Sequence, residues 1–311
     1  MKILLLGKSG QVGWELQRSL APLGQVIALD RHGLPAADGL PPYCGDLNHP
    51  AGLAATVRQL APDVIVNAAA HTAVDQAESD TARAFCVNAD APAALAEAAA
   101  ACGAWLLHYS TDYVFNGSGE KPWQEDDATG PLNVYGQSKL AGEQAIVARC
   151  PRHLILRTSW VYAARGSNFA RTMLDLARQR PQLNVVGDQF GAPTGAELIA
   201  DVSAHLLRQV MAAPACTDHA GIYHLAAEGE TCWCDYARHV IACASLAGMN
   251  LQATPDRITP VPTEAWPRPA RRPHNSRLDT RKLQRHFGLT LPPWQQGVER
   301  MLDEILPFLR T

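Results

Sequence analysis

No stretch of the 311-residue sequence approaches the ~18 consecutive apolar residues of a membrane-spanning helix, so a membrane partner is not expected. The apolar run at Met1-Lys2-Ile3-Leu4-Leu5-Leu6-Gly7 carries one lysine and ends at a glycine. It is too short for a secretion signal, which points to the cytoplasm. Charge of one sign is equally scarce: 27 Lys and Arg stand against 30 Asp and Glu, a net charge of -3. The densest basic stretch, Arg268 to Arg272, is short and broken by prolines, which argues against a nucleic-acid partner. The eight cysteines show no framework spacing; without a secretion signal they read as free thiols in a reducing compartment. Cys232 and Cys234 lack a second Cys/His pair at a suitable spacing. They read as packed thiols at the start of a helix, and no metal site is expected from them. There is also no internal repeat and no low-complexity segment.

What is present is ample apolar material. With 47% apolar and 18% charged residues, the chain can bury a substantial core, and its length suits one large or two intimate domains. Short apolar runs at 3–6, 26–29, 64–66, 105–109 and 154–156 alternate with helical periods at 10–23, 53–60, 92–102 and 133–147. Apolar strands in a repeated strand–helix order imply an α/β fold, a doubly wound, Rossmann-like parallel sheet covered on both faces. Beyond residue 160 the pattern loosens into helices near 168–177, 196–211 and 232–246, a proline-dense stretch from Pro255 to Pro273, and a last helix with Val298, Leu302, Ile305 and Leu309 on one face. The expectation is a domain over 1–160 and a smaller C-terminal lobe over 161–311, with a strand near 221–226 returning to the first sheet.

The first strand runs into Gly7-Lys8-Ser9-Gly10-Gln11-Val12-Gly13, a G-x-x-G-x-x-G spacing. Glycine permits the tight turn, lets the backbone approach a pyrophosphate and packs helix on strand; the helix N-terminus offers free N–H groups to the phosphates. The position after a strand, before a helix, favours nucleotide binding over a merely structural turn. Asp30, at the end of the second strand, suits the ribose hydroxyls of NAD. The adjacent Arg31 suits a 2′-phosphate or is a solvated loop charge. Both NADH and NADPH therefore stay open. Asp46 and Leu47 follow a Tyr43-Cys44 stretch read as the equivalent of a third strand, where an acid can meet the adenine amine. Asn67-Ala68-Ala69-Ala70 ends the next strand with side chains small enough for a cofactor to lie against backbone.

Tyr135 and Lys139 stand four apart on a helix, and so on one face. Reduction of a carbonyl needs a hydride at carbon, which a nicotinamide brings, and a proton at oxygen. Free tyrosine, with a pKa of about 10, becomes a useful acid–base group beside an ammonium. Thr111, just past the fourth strand, lies where open parallel sheets bind ligands. Its hydroxyl can bond the substrate oxygen or cap a turn.

These motifs make the chain resemble the extended short-chain dehydrogenases/reductases, and within them the dTDP-4-dehydrorhamnose reductase family. The matching segments are Gly7–Gly13, Asn67–Asp75, Tyr109–Phe115, Pro131–Lys139, Arg157–Tyr162, Asp188–Thr194 and Arg272–Leu278, in order along nearly the whole chain. The resemblance implies NAD(P)H-dependent reduction of the C4 keto group of dTDP-4-dehydro-L-rhamnose, the last step to dTDP-L-rhamnose, a precursor for lipopolysaccharide and O-antigen. It implies Thr111, Tyr135 and Lys139 as the catalytic group and Asn88 as support for a proton-relay water. Gly10, Gln11, Val12, Asp30, Asp46, Leu47, Ala70, His71, Thr72, Tyr135 and Lys139 are implied at the cofactor, with 161–311 as mainly the sugar-nucleotide lobe. Asp112 and Trp160 are implied at the sugar, although Trp160 also suits core packing and His71 a packed loop. Arg271 and Arg272 suit a substrate diphosphate or a solvated loop. A homodimer is common among extended members, and Glu197 and Glu299 suit either Mg²⁺ at a subunit contact or plain solvent. The alternatives are a 4-epimerase or dehydratase of the same superfamily, or a non-catalytic subunit like the regulatory partner of methionine adenosyltransferase. A dehydratase pairs Asp and Glu after the threonine, whereas here Thr111-Asp112 runs into Tyr113.

Overall fold

The computed structural model describes residues 1–35 and 42–309. Its first half alternates strands and helices: β1 (Lys2–Leu6), α1 (Gln11–Leu20), β2 (Gln25–Leu29), α2 (Pro50–Leu60), β3 (Val64–Asn67), α3 (Val74–Ser79), α4 (Thr81–Phe85), α5 (Ala91–Cys102), β4 (Trp105–Thr111), α6 (Val134–Arg149) and β5 (His153–Thr158). All the strands of the central sheet are parallel, in the order Gly221–His224, β5, β4, β3, β1, β2. The sheet is therefore of the Rossmann kind, with strand order reversing beside β1. A crevice opens at the C-terminal strand ends at such a reversal.

Alternation along each strand builds two cores. Ile3 and Leu5 join Leu16 and Leu20 of α1, Ile199, Leu206 and Val210 of the helix Ala196–Ala212, and Leu283 and Phe287 of the helix Arg281–Phe287. Leu4 and Leu6 face the other way, onto Leu53 and Val57 of α2, Leu95 and Ala99 of α5 and Ile146 of α6. Adjacent strand residues point to opposite faces, so four consecutive apolar residues at 3–6 are what a sheet covered on both sides requires.

The strand Gly221–His224 and the helices 196–212 and 281–287 come from the second half of the chain yet complete the first half's sheet and core. The remaining lobe has its own core. The helices Phe169–Gln179, Trp233–Leu246 and Trp294–Leu309 pack around Tyr162, Leu174, Tyr236, Val298 and Leu302. Beside it a parallel pair, Leu183–Val186 with Ile258–Val261, runs along that lobe.

One expectation fails. Tyr43-Cys44 forms no strand of the main sheet; Tyr43 makes only an isolated antiparallel bridge to Leu34, and among the described residues the sheet ends at β2. Two prolines, Pro41 and Pro42, precede it and supply no ladder N–H. Gly45 then crosses so close to the end of β2 that a Cβ would lie 2.3 Å from the Asp30 carbonyl oxygen.

Candidate active site

The glycine turn closes as its spacing demands. Gly7 sits at φ +90°, and a Cβ there would stand 2.8 Å from the Ala69 nitrogen. Gly13 lies under the turn, where a Cβ would fall 2.0 Å from the Gly7 carbonyl oxygen. Gly10 is the residue before α1, with no side-chain cap on the helix. The first N–H groups of that helix are thus left for a ligand.

A cleft of about 320 Å³ opens above this turn, lined by Gly7, Gly10, Asp30, Arg31, Asp46, Leu47, Ala69, Ala70, His71 and Thr72. Ten of the residues expected at the cofactor therefore share one wall. Gln11, Val12 and Gly13 do not line it: Gln11 Nε2 donates to the Ser167 carbonyl at 3.2 Å, Val12 packs on the sheet core, and Gly13 is buried. Asp30 accepts hydrogen bonds from the Ser9 hydroxyl and the His32 N–H, each at 3.0 Å. Its slight burial pushes the carboxyl up, but these bonds and the nearby Lys8 outweigh it, so the net shift is downward. Asp46 is likewise lowered: its burial is overcome by both bonds from Asn48, with His49 and Arg31 nearby. Ser9, inside the glycine motif, also lines the cleft, as do Gly45, Asn48, Gln76 and Arg83; these four come from a loop and the short helices α3 and α4 without motif spacing, and only the fold brings them there.

Asn133 sets the catalytic helix. Its Oδ1 accepts from the Gly136 N–H at 2.8 Å, a side-chain N-cap that starts α6 just before Tyr135. The Gly136 Cα lies so close to the Tyr113 carbonyl that a Cβ would come within 2.2 Å of its oxygen, drawing Tyr135 toward the end of β4. The Tyr113 and Tyr135 rings meet edge to face, centroids 5.5 Å apart. Burial pushes Tyr135 up to about 12, opposed by a side-chain hydrogen bond with Thr111. Thr111 Oγ1 donates to Asp112 Oδ1 at 3.1 Å and accepts from the Tyr113 N–H at 3.2 Å. The same hydroxyl thus caps a turn and faces Tyr135. Lys139, only 2% exposed, is pulled down to about 8 by burial, opposed by Glu143. Its Nζ donates to the Tyr109 carbonyl at 2.6 Å and lies 3.1 Å from His108 Nε2.

Asn88 lies in a π-helical turn, Cys86–Asp90, a feature frequent at functional sites. Its side chain clasps the His71 backbone through Oδ1 (2.9 Å, from N–H) and Nδ2 (3.1 Å, to C=O) and donates to Ser138 Oγ at 3.0 Å. It thereby ties the cofactor cleft to α6. Among the described residues His71 Nδ1 is buried without a hydrogen-bond partner.

Asp112 is fully enclosed, and burial pushes it up to about 7 against hydrogen bonding by Ser276 and Thr111. Trp160 adopts φ +48°, an outlier for a bulky residue, and stacks on Trp233 with centroids 3.6 Å apart. Such strain costs about 1–3 kcal/mol and clusters at functional sites. Arg272 is not free for a diphosphate. It grips Asp75, and the loop it anchors carries Ser276 to Asp112. Arg271 is exposed. Glu197 pairs with Arg300 at 3.3 Å, and Glu299 lies 3.3 Å from His239, with Cys243 beside them.

The RmlD substrate binding domain family matches residues 1–306. A dTDP-4-dehydrorhamnose reductase from Escherichia coli (strain K12) is 58% identical over 305 residues, 98% of each chain. A crystal structure of a dTDP-4-dehydrorhamnose reductase from Clostridium acetobutylicum superposes with a TM-score of 0.84 at 32% identity, covering 98% of this chain and 99% of that one. Another from Bacillus anthracis, in complex with NADP, gives 0.83 at 30% identity, covering 97% and 99%.

Proposed function

Because the chain belongs to the dTDP-4-dehydrorhamnose reductase family, we propose that it reduces the C4 keto group of dTDP-4-dehydro-L-rhamnose to give dTDP-L-rhamnose. The observation that carries this reading is the Thr111–Tyr135 hydroxyl pair at the C-terminal end of β4, with Lys139 buried one helical turn beyond Tyr135. The glycine turn, the uncapped start of α1 and the Asp30 carboxylate fit a dinucleotide, and the cofactor is a nicotinamide, NADPH or NADH. When bound, it supplies the hydride.

The chain's own residues do the rest. Thr111 hydrogen-bonds the substrate's C4 oxygen and fixes it toward Tyr135. Tyr135 gives that oxygen its proton as negative charge builds there. Lys139 holds positive charge beside the cleft, favouring tyrosinate once the proton has left. Asn88, through Ser138 and the His71 backbone, positions a water that returns the proton. Gly7, Gly10, Asp46, Leu47, Ala69, Ala70, His71 and Thr72 shape the cofactor wall, and Gln11, Val12 and Gly13 contribute through backbone. Asp112 and Trp160 face the sugar. No second carboxylate follows Asp112, so elimination of the dehydratase kind has no acid–base pair.

In this reading residues 1–160 form the cofactor domain, and 161–311 supply mainly the sugar-nucleotide lobe while lending the strand Gly221–His224 to the sheet. The enzyme works in the cytoplasm as a homodimer and feeds O-antigen synthesis. Among the described residues no helix is long and apolar enough to cross a membrane. The test is direct: purified protein, NADPH and dTDP-4-dehydro-L-rhamnose are mixed and the absorbance of reduced nicotinamide followed. Substrate-dependent loss supports the reading; no consumption with either NADPH or NADH refutes it.

A further inference from the structure

His108 is buried behind the active site and has no part in the proton transfer described above. It lies on β4 in register with Asn67 of β3, is 1% exposed, and contacts two polar side chains, Asn67 through Nδ1 and Lys139 through Nε2, each at 3.1 Å.

The direction of this chain of hydrogen bonds is set at its far end. The Ala69 N–H donates to Asn67 Oδ1 at 3.2 Å, which leaves the Asn67 amide nitrogen to face His108. An amide NH₂ only donates, so His108 Nδ1 accepts. Burial and the nearby Lys139 lower the ring's proton affinity well below the ordinary value, and the imidazole is neutral. A neutral ring with a bare Nδ1 carries its hydrogen on Nε2, aimed at the Lys139 nitrogen.

We propose that His108 is a positioning residue whose Nε2–H faces Lys139 Nζ and donates to it once the amine is neutral, and that Asn67 enforces this tautomer. An ammonium at Nζ has no lone pair to accept that bond. Protonating Lys139 therefore sets two donors against each other. The alternative is to flip both the His108 tautomer and the Asn67 amide, which turns Nδ2 onto the Ala69 N–H. The arrangement disfavours the ammonium, adding to the effect of burial. The other groups bearing on Lys139 are Glu143 on its own helix, which is held by Arg157 of β5 at 2.7 Å, Tyr135 one turn before it, and the Tyr109 carbonyl. Of these, Glu143 and the Tyr109 carbonyl favour the charge. The consequence rests on the reductase reading: His108 sets the pH at which Lys139 loses its charge, and so the alkaline edge of activity. Asn67 and His108 would be legible in the sequence only as core polar residues, one at the end of a strand and one in the middle of the next.

The experiment has a readout independent of turnover. Histidine ring ¹⁵N NMR on the full chain, with and without NADPH, identifies His108 by comparison with His108→Gln. Above the alkaline limb, where Lys139 is neutral, the expected wild-type spectrum shows a protonated Nε2 and a bare Nδ1; a protonated Nδ1 there overturns the proposal without any further variant. Asn67→Asp supplies a carboxylate that accepts from both Ala69 N–H and His108 Nδ1–H. It should switch the tautomer and move the alkaline limb of kcat/KM up by about one pH unit, a tenfold change in the proton affinity of Lys139. A switched tautomer with an unmoved limb refutes the link to Lys139. Absence of turnover at every pH, with the expected tautomer present, counts against the reductase reading and leaves the hydrogen-bond chain standing.

Discussion

The Arg272 guanidinium grips the Asp75 carboxylate with two hydrogen bonds, of 2.6 and 2.9 Å, across nearly two hundred residues of chain. Asp75 opens α3 beside the cofactor wall, and Arg272 leads into the loop that brings Asn275 and Ser276 against the 115–125 segment and Asp112. The pair joins the two halves of the site, and the hydrogen bond from Arg272 holds the Asp75 carboxyl below its usual range despite partial burial. Arg272→Ala should raise KM for the sugar nucleotide several-fold with a smaller loss in kcat. The cost in stability should be only about 1 kcal/mol, because both partners are partly solvated. Steady-state kinetics and a thermal melt check this. The lowered pKa also fixes the sign of the pH effect. The pair's contribution is present above the unfolded pKa of about 3.9 and is lost as pH falls through the still lower folded value.

Asp112 should behave in the opposite way. Its folded pKa is raised from 3.8 to about 7, so its contribution to stability is present below 3.8 and lost as pH rises through about 7. In that window the folded chain holds a proton that the unfolded chain has released. Asp112→Asn should therefore melt higher than wild type at pH 8, by the equivalent of roughly 2–4 kcal/mol. The gain should fade toward pH 4. Melting curves across pH 4–9 test it, and an advantage independent of pH would show that the carboxylate is not enclosed when charged.

Two glycines of one motif should fail differently. Gly13→Ala puts a methyl 2.0 Å from the Gly7 carbonyl oxygen, so backbone must move. Overpacking of this kind costs about 1–3 kcal/mol; a lower melting temperature and weaker NADPH binding are expected. Gly10→Ala meets its nearest atom at 3.4 Å, so it should melt like wild type and lose affinity only for the cofactor. Melting and fluorescence titration separate the two.

Cofactor choice turns on neighbours of opposite charge. Asp30 is committed to Ser9 and the His32 N–H, whereas Arg31 is exposed at the edge of the cleft. Arg31→Ala should lower kcat/KM with NADPH about tenfold, roughly 1.4 kcal/mol, and leave NADH nearly untouched. Parallel kinetics with the two cofactors decide it.

Much of this was legible in the sequence because it rests on local periodicity. Four apolar residues at 3–6 announced a strand buried on both faces, the glycine spacing announced the turn, and the four-residue interval announced Tyr135 and Lys139 on one helix. What the sequence could not show depends on distant chain. The helix Ala196–Ala212 reads as amphipathic, but only the fold puts it on α1. Arg272 reads as a loop cation until Asp75 is placed beside it. The missing third strand at Tyr43-Cys44 was obscured by an apolar pair that looks like strand and is held back by Pro42 and Gly45. His108 carries no motif at all, and its partners lie on a neighbouring strand and a helix.

The central claim is that a hydride reaches the sugar's C4 while Tyr135 protonates its oxygen. The most direct measurement follows deuterium from NADPH labelled at the transferable position of C4, with wild type and Tyr135→Phe side by side. The expected result is one deuterium on C4 of dTDP-L-rhamnose per NADPH oxidised by wild type. Tyr135→Phe should bind NADPH normally and turn over 10²–10⁴-fold more slowly, the usual worth of a general acid. Oxidation of NADPH without deuterium at C4, or a Tyr135→Phe variant with near-normal rates, would contradict the account.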